Sequence, residues 1–234
     1  NDLIEYETIT KEAGMLLKLL VGSGYNLFIS GGTSSGKTTF LNALSDSIPT
    51  GERIVVIEDS MELKLNGLSN VVRLEFKPKN AQGRGEVSMR HLIRSSLRMR
   101  PDRIIVGEVR GGEIIEMIQA MNTGHDGSLS TGHGTGVPGM LKRMEAMFLQ
   151  AGEFPVDAIR EQIAQAIDIV VQLAKIANTG RRVTEICEIA NYEGGRFKLN
   201  PIYRFTDGKL VKTHNELVNT EKMKLNGYYD KYLR

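Results

Sequence analysis

The sequence predicts an α/β domain with a mostly parallel central sheet flanked by helices. Three observations carry that expectation. Short apolar runs alternate with amphipathic helical stretches over roughly the first two-thirds of the chain, the pattern of parallel strands joined by crossover helices. Two runs, Arg53–Glu58 and Arg103–Val106, are rich in Ile and Val without alternation, as strands covered on both faces are. A glycine-rich stretch, Gly31-Gly32-Thr33-Ser34-Ser35-Gly36-Lys37-Thr38, joins one apolar run to a helical one. Glycine makes up 25 of 234 residues, about 11% against a usual ~7%, so many backbone positions turn tightly or approach something closely.

Each element has a local reason. Thr10 is placed to cap a helix running to about Leu20. Residues 26–30 form a short apolar strand, and the glycine-rich stretch leads into a helix over about 37–47. Arg53–Glu58 is a buried-type strand, residues 71–76 alternate as another, and the polar, glycine-bearing segment 77–86 is a loop. Ser88 caps a helix to about Met99, with Met89, Leu92, Ile93 and Leu97 along one face, and Pro101 stops it. Arg103–Val106 is the next strand. Ile114, Met117, Ile118 and Met121 recur at helical spacing, residues 127–131 read as a strand, and two more helices carry Leu141, Met144, Phe148 and then Ile159, Ile163, Ile167. Strands follow near 169–173, 182–190 and 196–205. Beyond Phe205 the chain turns polar, so residues 1–205 are expected to form the domain and 206–234 a polar peripheral tail.

Composition narrows the function classes. With 41% hydrophobic and 25% charged residues the chain is ordinary globular protein rather than disordered. The formal net charge of +2 names no partner. One cysteine excludes a disulfide framework and a multi-cysteine zinc site and fits a reducing compartment. No apolar run approaches the ~20 residues of a membrane span, and no signal peptide is visible. The chain begins at Asn1 rather than Met, which predicts a fragment of something longer.

The glycine-rich stretch fits G-x-x-x-x-G-K-[ST] between a strand and a helix. Glycines let successive N–H groups converge on a phosphate, and the following helix offers unsatisfied N–H groups and a positive dipole end to the same anion. Lys37 supplies charge to the β- and γ-phosphates of a nucleotide, and the Thr38 hydroxyl is placed to ligate Mg²⁺. Ligands of parallel sheets sit at the carboxyl ends of strands, and two strands here end in acids: one in Glu58-Asp59 with Glu62 close behind, the other in Gly107-Glu108-Val109-Arg110. A nucleotide hydrolase needs one carboxylate for the metal shell and another to orient or deprotonate water. Glu108 suits the first role and Glu62 the second; the alternative is that these acids cap helices and solvate turns. His125 and His133 flank a glycine-rich strand. Their spacing lacks further zinc ligands, which leaves two readings open: γ-phosphate sensing, or local hydrogen bonds in loops.

Lys77, Lys79, Arg84, Arg90, Arg94, Arg98 and Arg100 stand against the single acid Glu86, a net +6 in a segment whose remainder of the chain carries −4. Arg90, Arg94 and Arg98 stripe one helix face. A solvated face, arginines reaching nucleotide phosphates across a subunit boundary and nucleic-acid contact compete; without interleaved aromatics the last is disfavoured. Met140, Met144 and Met147 read as core or interface packing, and Cys187 as a buried small hydrophobe.

Taken together, the motifs resemble the secretion ATPases of the type II/type IV secretion and pilus superfamily (GspE/PilT-like), and most of all its CpaF/TadA tight-adherence branch. Residues 31–39, Gly31 through Thr38 and Thr39, look like its Walker A. Ile57-Glu58-Asp59 through Glu62 look like its acidic box, whose last glutamate is the family's proposed base. Pro101-Asp102-Arg103-Ile104-Ile105-Val106-Gly107-Glu108-Val109-Arg110 looks like its Walker B, which ends in Gly-Glu, and Thr123-Gly124-His125 through Thr131-Gly132-His133 like its histidine box. Residues 85–110 and Ala158-Ile159-Arg160-Glu161-Gln162-Ile163 are also similar to that branch, and the likeness runs from about residue 9 to about 205.

The resemblance implies a RecA-like P-loop NTPase core and a cytoplasmic homohexamer with ATP and Mg²⁺ at subunit boundaries. Hydrolysis would power pilus assembly or protein secretion through inner-membrane platform proteins, acting on pilin or secreted substrate indirectly. It implies that Lys37 and the loop hold the phosphates, that Thr38 and Glu108 organise the metal, that Glu62 polarises water, and that His133, with Arg73 or Arg110, reads the γ-phosphate. It favours subunit-bridging arginines over nucleic acid. A conjugation-type DNA-transfer motor, a nucleotide-gated assembly platform with little turnover and a small-molecule kinase are the rivals; no acceptor pocket is legible for the last. Three departures stand out. Family members carry an N-terminal domain that covers the nucleotide, and this chain starts where that domain would end, so it is expected to be the C-terminal domain of a longer protein and to hydrolyse ATP poorly when isolated. The four-cysteine zinc motif of the general secretion and pilus-extension branches is missing. Gly132 and Gly134 around His133 replace bulkier neighbours, which predicts a slack loop.

Overall fold

A computed structural model describes residues 2–233. In chain order the strands are β1 (Leu27–Gly31), β2 (Arg53–Glu58), β3 (Asn70–Glu75), β4 (Arg103–Val106), β5 (Leu129–His133), β6 (Ile169–Ile176), β7 (Gly180–Glu193), β8 (Arg196–Thr206) and β9 (Lys209–Lys212). The helices are α1 (Asp2–Glu5), α2 (Lys11–Gly22), α3 (Lys37–Ser45), α4 (Met89–Ser96), α5 (Ile114–Asn122), α6 (Val137–Ala151), α7 (Val156–Ala166), α8 (Glu221–Leu225) and α9 (Tyr229–Tyr232). Among the described residues all nine strands join one sheet, in the order β3-β2-β4-β5-β1-β6-β7-β8-β9. The run from β3 to β6 is parallel, and β7, β8 and β9 continue it antiparallel. The expected mostly parallel α/β architecture is therefore the observed one.

Alternation sorts the side chains into two cores. Leu27 and Ile29 of β1, Ile54 and Val56 of β2 and Ile105 of β4 pack with α2 and α3, where Leu17, Leu20, Phe40 and Leu41 are buried. Phe28, Val55, Ile57, Ile104 and Val106 face the other way, onto Ile93, Ile118, Met140 and Ile163 of α4–α7. Both faces are dry, which is why β2 and β4 read as unbroken apolar runs. Each such side chain contributes about 1.5–3 kcal/mol of burial. Met140, Met144 and Met147 all lie in the second core, as packing residues.

The helix caps match their sequence signals. Thr10 Oγ1 accepts from Ala13 N at the start of α2, and Ser88 Oγ from His91 N at the start of α4. α4 tightens into a 3₁₀ turn at Leu97–Met99 and ends at Arg100 in the left-handed region (φ 52°), immediately before Pro101. β5 begins two residues later than expected, because Gly127 (φ 79°) still turns the chain and Ser128 N is taken by Asn26 Oδ1.

The segment after Phe205 departs from the expected peripheral tail. β9 pairs with β8, and Leu210, Leu217 and Met223 are buried in the α2–α3 core. Glu188, itself buried, accepts from Val218 N and Asn219 N, and Tyr25 Oη donates to Asn219 O. Three apolar residues spread over fourteen positions, without helical or strand period, carry no signal that reveals this docking. Among the described residues no helix is long and apolar enough to cross a membrane.

The layering fixes where a ligand fits. The crossover after β1 runs through α3 on one face of the sheet, whereas α6 and α7, which lead from β5 to β6, lie on the other. Chain leaving β1 and its neighbour β5 therefore diverges and opens a crevice at their carboxyl ends.

Candidate active site

The glycine-rich loop turns sharply out of β1. Ser34 and Gly36 are both left-handed (φ 58° and 95°), which for Ser34 stores about 1–2 kcal/mol. A Cβ on Gly31 would collide with Ser35 Oγ and come within 2.9 Å of Leu173 O, so that position admits only glycine. Lys37 opens α3 and points back across the loop mouth. Its Nζ lies 3.3 Å from both Gly31 O and Gly32 O and 3.4 Å from His133 Nδ1. These are long, weak partners for an ammonium. Burial pushes the Lys37 pKa down, Glu108 partly opposes this, and nearby Arg110 adds to the lowering. A buried cation with so little compensation is set up for an incoming anion. Thr38, half-buried, follows at the second helical position.

Opposite the loop stand the acids. Glu108 follows β4 through Gly107, whose N–H is bound by Ile57 O. Its Oε2 accepts from Arg110 Nε (2.9 Å) and Nη2 (2.7 Å). Its Oε1 lies 2.7 Å from His133 Nε2, without the alignment of a hydrogen bond, and is otherwise buried without a partner. Arg110 also reaches Asp59 Oδ2 at 2.8 Å; the hydrogen bond to Glu108, and then the charges of Glu108 and Asp59, hold its pKa up. His133 is thus set between Lys37 and Glu108. If Lys37 donates to Nδ1, the ring proton is on Nε2 and faces the carboxylate.

The acidic box is built around a different residue from the one the sequence singled out. Glu58, 4% exposed, accepts from the backbone N–H groups of Glu62 and Leu63 through Oε1, both at 3.0 Å. Arg73 donates to Leu63 O and lies 3.6 Å from Glu58 Oε2. Arg73 therefore braces the acidic box rather than touching the glycine-rich loop. The Glu62 side chain is exposed and makes no hydrogen bond among the described residues; only its backbone is fixed, through Glu58.

Of the sequence-predicted site residues, the structure brings together the loop from Gly31 to Thr39, Glu108, Arg110 and His133. Glu62 and Arg73 sit at the border, joined through Glu58. His125 lies apart, at the other end of β5, where its Nδ1 is 3.2 Å from Ala120 O; a five-residue strand separates the histidines onto opposite edges of the sheet. The loop around His133 is packed, contrary to the expected slack. The Phe28 ring occupies the space beside Gly132, and Ser30 Oγ and Met140 occupy the space beside Gly134. Arg90 and Arg94 both lean on the buried Oε1 of Glu116 on α5 (2.6 and 2.8 Å), which spends part of the arginine stripe inside the chain. Cys187 is buried, its thiol pushed up to about 12 by desolvation, and is inert.

Sequence reasoning missed three residues. Gln172 of β6 is buried beside the His133 loop; a lone amide in the run Ile169-Val170-Val171-Gln172-Leu173 was the available signal. Arg181 at the start of β7 donates through Nε to Ser34 O (3.0 Å), and nothing in its sequence context marks it. With Tyr6, Thr8, Ser35, Gly36 and Thr39 it lines a cleft of about 390 Å³ against the glycine-rich loop. Arg103, 2% exposed, is paired with Glu52 at the opposite sheet edge.

A glycine-rich strand-to-helix loop at the point where a parallel sheet diverges, faced by strand-end carboxylates, defines the class of α/β proteins that bind ligands at strand carboxyl ends. More narrowly, the chain belongs to the type II/IV secretion system protein family, whose model matches residues 1–224. It is 38% identical over 186 residues to a putative conjugal transfer protein, Rv3659c, of Mycobacterium tuberculosis, covering 80% of this chain and 52% of that protein. It is 40% identical over 175 residues to the type IV secretion system protein PtlH of Bordetella pertussis, covering 73% and 52%. Its fold matches that of the VirB11 ATPase of the Brucella suis type IV secretion system, solved with sulphate, at a TM-score of 0.68 and 33% identity over 76% of this chain and 55% of that one. The chain spans about half the length of the curated relatives it matches.

Proposed function

We propose that this chain is the ATP-hydrolysing core of a secretion-system motor. One observation carries the reading: an under-compensated Lys37 ammonium across the mouth of a glycine-rich loop, with the Glu108 carboxylate opposite and His133 between them. The triphosphate's negative tail takes the place of the loop carbonyls as the partner of Lys37, and N–H groups of the loop and of the α3 amino end surround it. The cleft under Tyr6 and Arg181 is the compartment for ribose and base.

Thr38 and Glu108 fit a magnesium ion: both offer hard oxygen, Glu108 Oε1 accepts no aligned hydrogen bond, and two protein ligands suffice for an ion that keeps water and phosphate oxygens. When bound, the ion supplies charge neutralisation for the transferring phosphoryl group. Glu62, exposed until the site is covered, orients the attacking water; Glu58 fixes the backbone from which it reaches. His133 reports the γ-phosphate, with Arg110 in preference to Arg73, because Arg110 is already bound to Glu108. Residues 1–205 carry this chemistry. The motif wording favours the CpaF/TadA branch, a cytoplasmic homohexamer at an inner-membrane platform, moving pilin or secreted protein. Similarity to conjugal transfer proteins favours a second reading, a conjugation-type DNA-transfer motor.

Lys37→Ala is expected to abolish binding of ATP and ADP by calorimetry, while Glu62→Gln keeps binding and lowers turnover of the assembled full-length protein at least ~10²-fold. Undiminished binding in the first variant would falsify the site; full turnover in the second removes Glu62 from its role.

A further inference from the structure

We propose that Gln172 is a positioning residue that holds His133 in place. This rests on the reading of the site as an ATP site. Gln172 is 5% exposed on β6, in register with Ser30 of β1. The ladder between β6 and β7 slips there: Gln172 pairs with Glu185 and Leu173 with Val183, leaving Thr184 as the extra residue. Its hydroxyl donates back to Gln172 O at 3.3 Å. Bulges of this kind re-aim side chains next to functional sites.

The aim here is specific. Gln172 Nε2 donates to Gly134 O (3.2 Å) and to Leu173 O (3.0 Å). The other side of the same Gly134 residue is tied to the glycine-rich loop, since Gly134 N donates to Gly31 O at 3.3 Å. Gly134 is therefore clamped between β1 and β6, and His133 is the residue immediately before it. A side chain at position 134 would collide with Ser30 Oγ, so no packing of its own substitutes for the clamp. His133 closes β5 in register with Gly31 of β1, and the two bonds to Gly134 fix the backbone immediately beyond it, so that the Gln172 bond is the anchor on the β6 side. An apolar residue at 172 would fill the same space in an otherwise apolar strand. Carrying a buried amide whose Oε1 has no partner has a cost, and the hydrogen bond to Gly134 is what the amide provides in return.

The test uses Gln172→Met, which keeps length and removes both donors, with Gln172→Leu as the second variant should the first fail to fold. Without any nucleotide, the imidazole proton resonance of His133 is expected to move while that of His125 stays; an unmoved His133 signal overturns the proposal. With nucleotide, ADP affinity is expected to hold while the preference for ATPγS over ADP falls on the order of 10-fold, as for partners that orient a ligating or catalytic side chain. His133→Ala is expected to give the same loss, and the double variant no more than either alone. A preserved preference, or additive losses, overturns the proposal. Wild-type protein that binds no nucleotide overturns the ATP reading itself, which the resonance measurement distinguishes from failure of the clamp.

Discussion

At the amino ends of the parallel strands, Arg103 donates to both oxygens of Glu52 and to Val21 O and Gly127 O. Beside it, Asn26 accepts from Ser128 N and donates to Ala166 O, and Asp168 accepts from Asn26 N and Lys222. At the carboxyl ends of the same strands, Ser30 Oγ, Ser35 Oγ and Gln172 Oε1 are buried without partners, and Glu108 Oε1 has only the unaligned contact with His133. One edge is closed hydrogen bond by hydrogen bond; the other carries unmet polar groups and an under-compensated lysine. Buried polar atoms left unpaired cost about 1–3 kcal/mol each, and such violations concentrate where a ligand is to supply the missing partners. The amino edge gives stability, which the carboxyl edge spends on preorganisation.

If that division is right, charge removal has opposite meanings at the two edges. Arg103→Ala leaves Glu52 and two carbonyls without their donor, and is expected to lower unfolding free energy by about 3–5 kcal/mol in urea titrations. Nucleotide affinity, measured where the variant is folded, should not change. A loss below ~1 kcal/mol would mean that the amino edge anchors nothing.

The amino edge was also the less legible half in the sequence. Parallel strands, capped helices and the glycine-rich loop announce themselves through period and spacing, because each depends on neighbours a few residues away. Glu108 followed from the rule that ligands gather at strand ends, whereas His133 stayed open on its residues and was singled out only by the family resemblance. Arg103 did not, because its partners Glu52, Val21 and Gly127 are distant in sequence, and an arginine opening a strand looks like solvent. Glu62 stood out as the last acid of a box, yet the box folds around Glu58, whose partners are backbone N–H groups that no residue type advertises. The docked C-terminal segment was hidden for the same reason: Glu188 and Tyr25 hold it through its backbone.

A second test of the division is pH. Burial lowers the folded-state pKa of Lys37 below its ordinary 10.5. Between the lowered value and 10.5 the unfolded chain binds more protons at this position than the folded one, so stability rises with pH across that window. Below it the full penalty of the buried ammonium is present. The unfolding free energy of wild type relative to Lys37→Met is therefore expected to improve as pH climbs toward 10.5, and a flat or falling difference would show that the lysine is well compensated after all.

The finest test lies within three residues and one substitution type. Ser128 and Ser130 are both fully buried, one immediately before β5 and the other its second residue. Ser128 Oγ donates to His125 O at 2.7 Å and accepts from Ile104 N at 3.1 Å. Ser130 Oγ, flanked in register by Phe28 and Val106, has no partner. Replacing either by alanine removes the same atom from the same stretch of chain. Ser128→Ala strands a backbone N–H and a carbonyl and is expected to cost about 1–3 kcal/mol. Ser130→Ala removes an unmet hydroxyl from an apolar slot and is expected to be neutral or stabilising by up to about 1 kcal/mol. Equal losses at the two positions would mean that the Ser130 hydroxyl is satisfied in solution, and the contrast between the edges would then shrink to the glycine-rich loop and its immediate neighbours.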